Sequence, residues 1–150
     1  MRTLLFFVVG CGVAAHAALS APHGDPRSFL KRVAAYEARS DTSIRSPTFL
    51  ALLAPRLRKA VRADLSHSDI GGLVYDPICQ CQDTVALEIV SVATKGSSAV
   101  ATLATGTETD RVLVHLHLIR SGGDWLIADI STKGQRSLLS DLERESIKGR

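Results

Sequence analysis

The hydrophobic period of the chain changes from helical spacing to strict alternation near Thr84, and this change constrains the fold more than any other feature. In the second half of the chain alternate residues are apolar over four stretches, a pattern typical of strands that bury one face. The four predicted strands are 84–94, 98–108, 110–120 and 124–131. Glycine-containing turns at 95–98 and 121–124 join neighbouring strands, because glycine readily takes the positive φ of tight hairpins. The pattern predicts an antiparallel sheet.

The third strand shows that the two faces of this sheet differ. One face carries the apolar residues Val112, Val114, Leu116 and Leu118. The other face carries Leu113, His115, His117 and Ile119. In the first strand the alternation slips at Val90, which predicts a β-bulge there, because one extra residue shifts every following side chain to the opposite face.

Helices are predicted before and after the sheet. Asp25-Pro26 and Ser46-Pro47 each place a capping residue directly before a proline at the first helical position, and Pro55 begins a third helix. The first helix, expected to end near Ser40, carries an apolar stripe that faces the core: Phe29, Leu30, Val33 and Tyr36. Ser137 caps a short last helix. The order of helices, strands and helix predicts an α+β fold in a single domain, residues 21–150.

The first 20 residues have the pattern of a signal peptide. Arg2 precedes an apolar stretch that ends in small residues, and glycines interrupt this stretch before it reaches the roughly 18 to 20 residues that span a bilayer. We expect cleavage near residues 17–21 and a periplasmic or secreted mature protein. A second interpretation takes Cys11 as the lipidated residue of a lipoprotein, although the apolar stretch before it is short.

The segment Asp76-Pro77-Ile78-Cys79-Gln80-Cys81-Gln82-Asp83 contains both cysteines of the predicted mature chain. In an extended strand their Cα atoms would lie about 6.6 Å apart, near the upper limit for a disulfide, whereas a loop lets them approach. Four interpretations stay open: a local disulfide, free or partner-linked thiols, a metal such as copper, and catalytic thiol exchange. The metal is a weak option, since two thiolates leave a tetrahedral site incomplete. We therefore expect no metal or other cofactor.

The basic residues are concentrated before the predicted sheet. Residues 27–62 hold nine Lys or Arg against two Asp or Glu, whereas residues 63–150 hold eight against twelve. The two regions could complement each other across the fold. Alternatively, Arg58, Lys59 and Arg62 form a surface for an anionic partner such as lipid head groups. Nucleic acid is not expected, because aromatic residues are not interleaved with the basic ones.

Three further side chains are candidates for a contact site. His115 and His117 lie on one face of a strand and could share a cation, but the spacing places no third ligand, which favours two histidines on a partly solvated face. Asp129 alternates with Trp125 and Ile127, so we expect it in a half-buried position. There it either accepts a hydrogen bond from a loop amide or acts as an acid. Asp76 and Asp83 are expected to accept hydrogen bonds from nearby loop amides.

The sequence also resembles a known family. Three segments carry the resemblance: Ala54-Pro55-Arg56-Leu57-Arg58, the Asp76–Asp83 segment, and Gly123-Asp124-Trp125-Leu126-Ile127-Ala128-Asp129-Ile130. They are similar to small exported bacterial proteins known as domain of unknown function 3828, which are grouped with cystatin-like and nuclear-transport-factor-2-like folds. The resemblance implies N-terminal helices packed on a curved four-stranded antiparallel sheet with a cone-shaped pocket, and it implies no activity.

These observations together predict an exported binding or interaction domain without catalytic residues. Its partner would be an envelope protein or a small ligand, and an inhibitor or immunity role against an envelope enzyme is the specific hypothesis. The pocket or the loop 66–83 would make the contact, with Asp76, Cys79, Cys81, Asp83, His115, His117 and Asp129 as candidate residues. The alternative is a small enzyme or thiol-redox protein that uses Asp129 or the Cys79/Cys81 pair.

Overall fold

The computed structural model describes residues 24–39, 42–67, 73, 75–81, 85–107 and 109–148. Within these residues the helices are α1 (Pro26–Glu37), α2 (Pro47–Leu52), α3 (Pro55–His67) and α4 (Leu138–Lys148). The strands are β1 (Glu88–Lys95), β2 (Ser98–Thr105), β3 (Val112–Ser121) and β4 (Asp124–Thr132). The predicted α+β fold is confirmed. The predicted signal peptide, Cys11 and Asp83 lie outside the described residues.

The helices begin where the capping residues predict. The Asp25 carboxylate accepts a hydrogen bond from the backbone N–H of Arg27, with Pro26 as the first helical residue. Ser46 Oγ accepts from Phe49 N at the start of α2, and Ser137 Oγ accepts from Ser140 N before α4. Each cap satisfies a backbone N–H that has no partner inside the helix.

The sheet is antiparallel, with strand order β1-β2-β3-β4. The register between β1 and β2 shifts between Ile89 and Ser91, so the bulge predicted at Val90 is confirmed. A second shift lies in the β3–β4 pairing next to His117, where β4 contains one residue more than β3. Ala54 N donates to Ile127 O, and Leu53 forms an isolated bridge with Ile127. The connection between α2 and α3 therefore covers the outer edge of β4.

The core lies between the helices and one face of the sheet. Side chains of α1, α2 and α3 meet the inward residues of all four strands, and the largest fully buried side chains include Trp125, Phe29, Phe49, Leu116 and Ile127. Three of the four predicted core residues of β3 are buried, whereas Val112, at the start of the strand, is 39% exposed. The side chains of Trp125 and Ile127 on β4 are fully buried on the face of the sheet that meets the helices, the side on which the family resemblance implies a pocket.

Two contacts connect α1 and the residues just before it to the β3–β4 hairpin. The Trp125 indole N–H donates to Gly24 O at 2.6 Å, and the Arg32 guanidinium binds both oxygens of Asp124 at 2.7 and 2.9 Å. In the described part of the chain no helix is both long enough and apolar enough to cross a membrane.

Candidate functional site

The loop from Asp76 to Cys81 is a closed turn rather than an extended segment. Asp76 N donates to Cys81 O at 3.0 Å, and Gln80 N donates to Asp76 O at 2.9 Å. The Asp76 carboxylate accepts a hydrogen bond from Ile78 N at 2.8 Å and a longer one from Cys79 N at 3.4 Å. Asp76 therefore has the loop-fixing role predicted for it. Gln80 takes a positive φ of 55°, a conformation that side chains other than glycine adopt at a cost.

Cys79 and Cys81 form a disulfide across this turn, with their Cα atoms 5.2 Å apart. This is the local disulfide, one of the four interpretations of the motif. Ile78 is fully buried and Cys79 is 3% exposed, so the turn packs its apolar side into the core. We call residues 76–81 the disulfide turn.

Glu37, the last residue of α1, lies against the disulfide turn. It is 3% exposed, and its Oε1 has no hydrogen-bond partner within the described part of the chain. Burial and the nearby charge of Asp76 raise the pKa of Glu37 to about 8. Burial also raises the pKa of Asp76, against the opposing effect of its backbone hydrogen bonds. Carboxylate oxygens of Glu37 and Asp76 and the Cys79 Sγ all lie within 4.8 Å of one another.

Sequence reasoning missed Glu37. A signal was present, because Glu37 follows Val33 by four residues and so lies on the apolar stripe of α1 that faces the core. A glutamate in such a stripe is rare unless it has a partner. Asp76 lies across from it in space but 39 positions away in sequence, and only the fold places the two carboxylates together.

The other predicted site residues lie away from the disulfide turn. His115 and His117 are on the sheet face opposite to the helices, as predicted, and His115 Nδ1 lies 3.1 Å from Thr102 Oγ1. Asp129 Oδ1 accepts hydrogen bonds from Ile130 N and from Leu139 N in the first turn of α4. The structural role weighed for Asp129 is therefore present, and the register shift in β4 places Ile130, rather than Asp129, on the core face.

The predicted basic surface of α3 is only partly available. Arg58 donates to the carbonyl oxygen of Leu53 at 2.8 Å and is partly buried, so its guanidinium holds the end of α2. Lys59 and Arg62 are exposed. A groove of about 500 Å³ runs between α3 and α4, lined on its rim by Arg56 and Glu143, which form an ion pair at 2.7 Å. This groove, outside the sheet, differs in position from the expected pocket.

The outer face of the sheet carries apolar side chains in solvent. Val100, Leu113 and Ile119 are 41%, 39% and 37% exposed. They surround the two histidines, since Val100 pairs with His117 across β2 and β3. We call the group Val100, Leu113, His115, His117 and Ile119 the open sheet face.

Comparison with solved structures finds a similar fold in a chain of the type VI native effector–immunity complex Tae3–Tai3 from Ralstonia pickettii. That match has a TM-score of 0.56 and 17% sequence identity, and covers 76% of this chain and 98% of that chain. The selenomethionine form of the same complex gives a TM-score of 0.58 at 17% identity, over 75% and 99%. At this level of sequence identity the structural similarity shows a shared fold and nothing more.

A phospholipid-binding protein from Ralstonia solanacearum aligns less well, with a TM-score of 0.39 and 12% identity over 84% of this chain and 75% of that chain. No family model matches the chain, and no curated protein matches it at a significant level. The described residues thus offer two distinct candidate sites on a known fold: the carboxylate pair at the disulfide turn and the open sheet face.

Proposed function

We propose that the protein is an exported inhibitor of the immunity type, which binds one partner protein and blocks it. The observation that carries this proposal is the open sheet face. Val100 and Ile119 lie close together on adjacent strands, and Leu113 lies on the same sheet face beyond the two histidines. Exposed apolar side chains grouped on one face are typical of protein-binding sites. A four-stranded sheet holds these side chains in fixed positions, so binding orders little additional backbone.

The fold supports the same proposal. The similar chain belongs to an effector–immunity complex, and nearly its whole length aligns with this protein. The predicted signal peptide fits an inhibitor that acts in the periplasm, where an envelope enzyme would meet it.

Site-specific photo-crosslinking tests the contact surface. A photoreactive amino acid at position 100 or 119 is expected to give one crosslinked species of defined mass in envelope fractions of the native host. The same amino acid at Ser146, exposed on α4, is the matched control and should give none. Crosslinks of equal yield at all three positions would contradict a specific site on the sheet.

Rescue of toxicity tests the inhibitor role. The captured partner, exported alone in a heterologous host, should impair growth, and co-export of this protein should restore growth. The double variant Val100→Lys, Ile119→Lys should lose both the rescue and the 1:1 complex in size-exclusion chromatography, because two buried unpaired charges oppose association. The variant Glu145→Lys, exposed on α4, raises the net charge by the same two units and should retain both. A captured partner that is harmless, or rescue by the open-face double variant, would contradict the proposal.

A further inference from the structure

The carboxylates of Glu37 and Asp76 lie close together without a counter-charge among the described residues. Glu37 is buried at the end of α1, one of its carboxylate oxygens lies within 4.8 Å of an Asp76 carboxylate oxygen and of the Cys79 sulfur, and its Oε1 has no hydrogen-bond partner in the described residues. Among the ion pairs formed within the described part of the chain, none includes either carboxylate. A buried carboxylate requires a positive partner or a proton.

The disulfide turn orients Asp76 toward this space. Two backbone N–H groups of the turn donate to its Oδ1, and the backbone of Asp76 is fixed by its hydrogen bonds with Gln80 and Cys81. The loop therefore sets the position of the Asp76 carboxylate, and α1 sets the position of the Glu37 carboxylate. Such fixed donors are what a metal site requires, since little reorganisation accompanies binding.

We propose that Glu37 and Asp76 bind one zinc ion between α1 and the disulfide turn. The donor set decides the kind of cation. Two carboxylates balance the charge of one divalent ion, and Zn²⁺ accepts carboxylate oxygens in sites of only four ligands. Ca²⁺ takes six to eight oxygen ligands, so it would need more waters than Zn²⁺ in a site where Glu37 is only 3% exposed. Water completes the coordination on the side of Asp76, which is the less buried of the two residues.

The Cys79 sulfur lies within the same 4.8 Å cluster. A change in the redox state of this sulfur should therefore change zinc binding if the ion lies at this site. In the disulfide this sulfur is a weak ligand. A dithiol reductant, which is itself oxidised to a disulfide, converts Cys79 and Cys81 to thiols. Zinc then displaces the Cys79 thiol proton into solvent and gains a thiolate ligand, which it prefers. Reduction should therefore tighten zinc binding.

Isothermal titration calorimetry of chelator-treated, oxidised protein with Zn²⁺ tests the proposal. We expect one zinc ion per chain, and a loss of affinity of at least about tenfold in Glu37→Gln and in Asp76→Asn. Asparagine retains the oxygen that accepts the turn hydrogen bonds, so Asp76→Asn removes the charge with the least disturbance of the fold. Glu145→Gln, exposed on α4, is the control and should bind zinc as the wild type does.

Three results would overturn the proposal: no zinc binding, equal binding by Glu37→Gln, or displacement of zinc by equimolar Ca²⁺ or Mg²⁺. A second measurement keeps the proposal testable if one of the carboxylate variants fails to fold. Co²⁺ added to anaerobically reduced wild-type protein, freed of reductant, should give a thiolate-to-cobalt absorption band that Cys79→Ser lacks. The absence of that band, or zinc affinity unchanged by reduction, would place the ion elsewhere.

Discussion

Among the described residues, Glu37 has the pKa that departs furthest from its ordinary value. A carboxyl group in water loses its proton near pH 4.5, whereas burial next to Asp76 holds the proton of Glu37 to about pH 8. In metal-free protein at neutral pH the Glu37 side chain is therefore a neutral acid. The consequence concerns stability, because the unfolded chain ionises this group and the folded chain does not.

The metal-free protein is therefore expected to lose stability as the pH rises. Between about pH 4.5 and 8 the folded state holds a proton that the unfolded state has released, so the free energy of unfolding falls with pH, by up to about 1.4 kcal/mol per pH unit. Below this window the stabilisation is fully present. Chemical denaturation at a series of pH values in the presence of a chelator measures the slope. The free energy of unfolding of Glu37→Gln should fall less steeply with pH over the same range. Identical slopes for the variant and the wild type would contradict the raised pKa of Glu37.

At the scale of elements, one hydroxyl group connects α1 to α2. Tyr36 Oη donates to Ser43 O, accepts from Ser43 N and lies 2.8 Å from Ser46 Oγ, which also caps α2. The Tyr36 ring packs against Phe49. The short helix α2 thus depends on a side chain from the preceding helix as well as on its own cap.

A double-mutant cycle measures this dependence. Ser46→Ala removes the cap and is expected to cost about 1 kcal/mol, and Tyr36→Phe removes the hydrogen bonds of the hydroxyl at a similar cost. Because the two groups are in contact, the double variant should be less destabilised than the sum, by about 0.5 kcal/mol or more. Urea denaturation of the four proteins gives the coupling, and strictly additive effects would show that the hydroxyl does not support the cap.

The elements could be predicted from sequence because each carries its own local signal. A capping residue before a proline begins α1 and α2, and the slip of alternation at Val90 gives the bulge. The bulge in β4 could not be predicted, because Ala128 and Asp129 continue an acceptable alternation and only pairing with β3 reveals the extra residue. Only part of the candidate site could be predicted from the sequence. The cysteine motif is a local pattern, but its contact with Glu37 depends on packing between segments that are distant in sequence.

At the scale of the whole molecule, buried apolar contacts outweigh the surface charges. The Arg32–Asp124 pair connects α1 to the β3–β4 hairpin, but both side chains are more than half exposed. Arg32 holds the pKa of Asp124 below its usual value, yet exposed pairs of this kind contribute about 0 to 1 kcal/mol. Trp125, next in sequence, is fully buried at the centre of the core.

Asp124 and Trp125 allow the stabilisation from a surface ion pair to be compared directly with that from a core contact. Asp124→Asn is expected to lower the free energy of unfolding by less than about 1 kcal/mol, and less still in high salt. Trp125→Ala should lower it by about 3–5 kcal/mol, since it empties a large volume in the core and removes the hydrogen bond to Gly24. Guanidinium chloride should be avoided because it screens charge, so urea denaturation at two salt concentrations is the measurement. A larger loss from Asp124→Asn than from Trp125→Ala would contradict this ranking.

The bulge at Val90 has a consequence for solubility. It lies in β1, the strand at one end of the sheet, whereas the segment between α2 and α3 shields the opposite end. An irregular backbone and charged residues at the two ends of an edge strand, here Glu88 and Lys95, oppose the addition of a strand from a second molecule to this edge. Among the described residues no strand pairs with this side of β1, and the bulge and the charges there oppose fibril-like self-association.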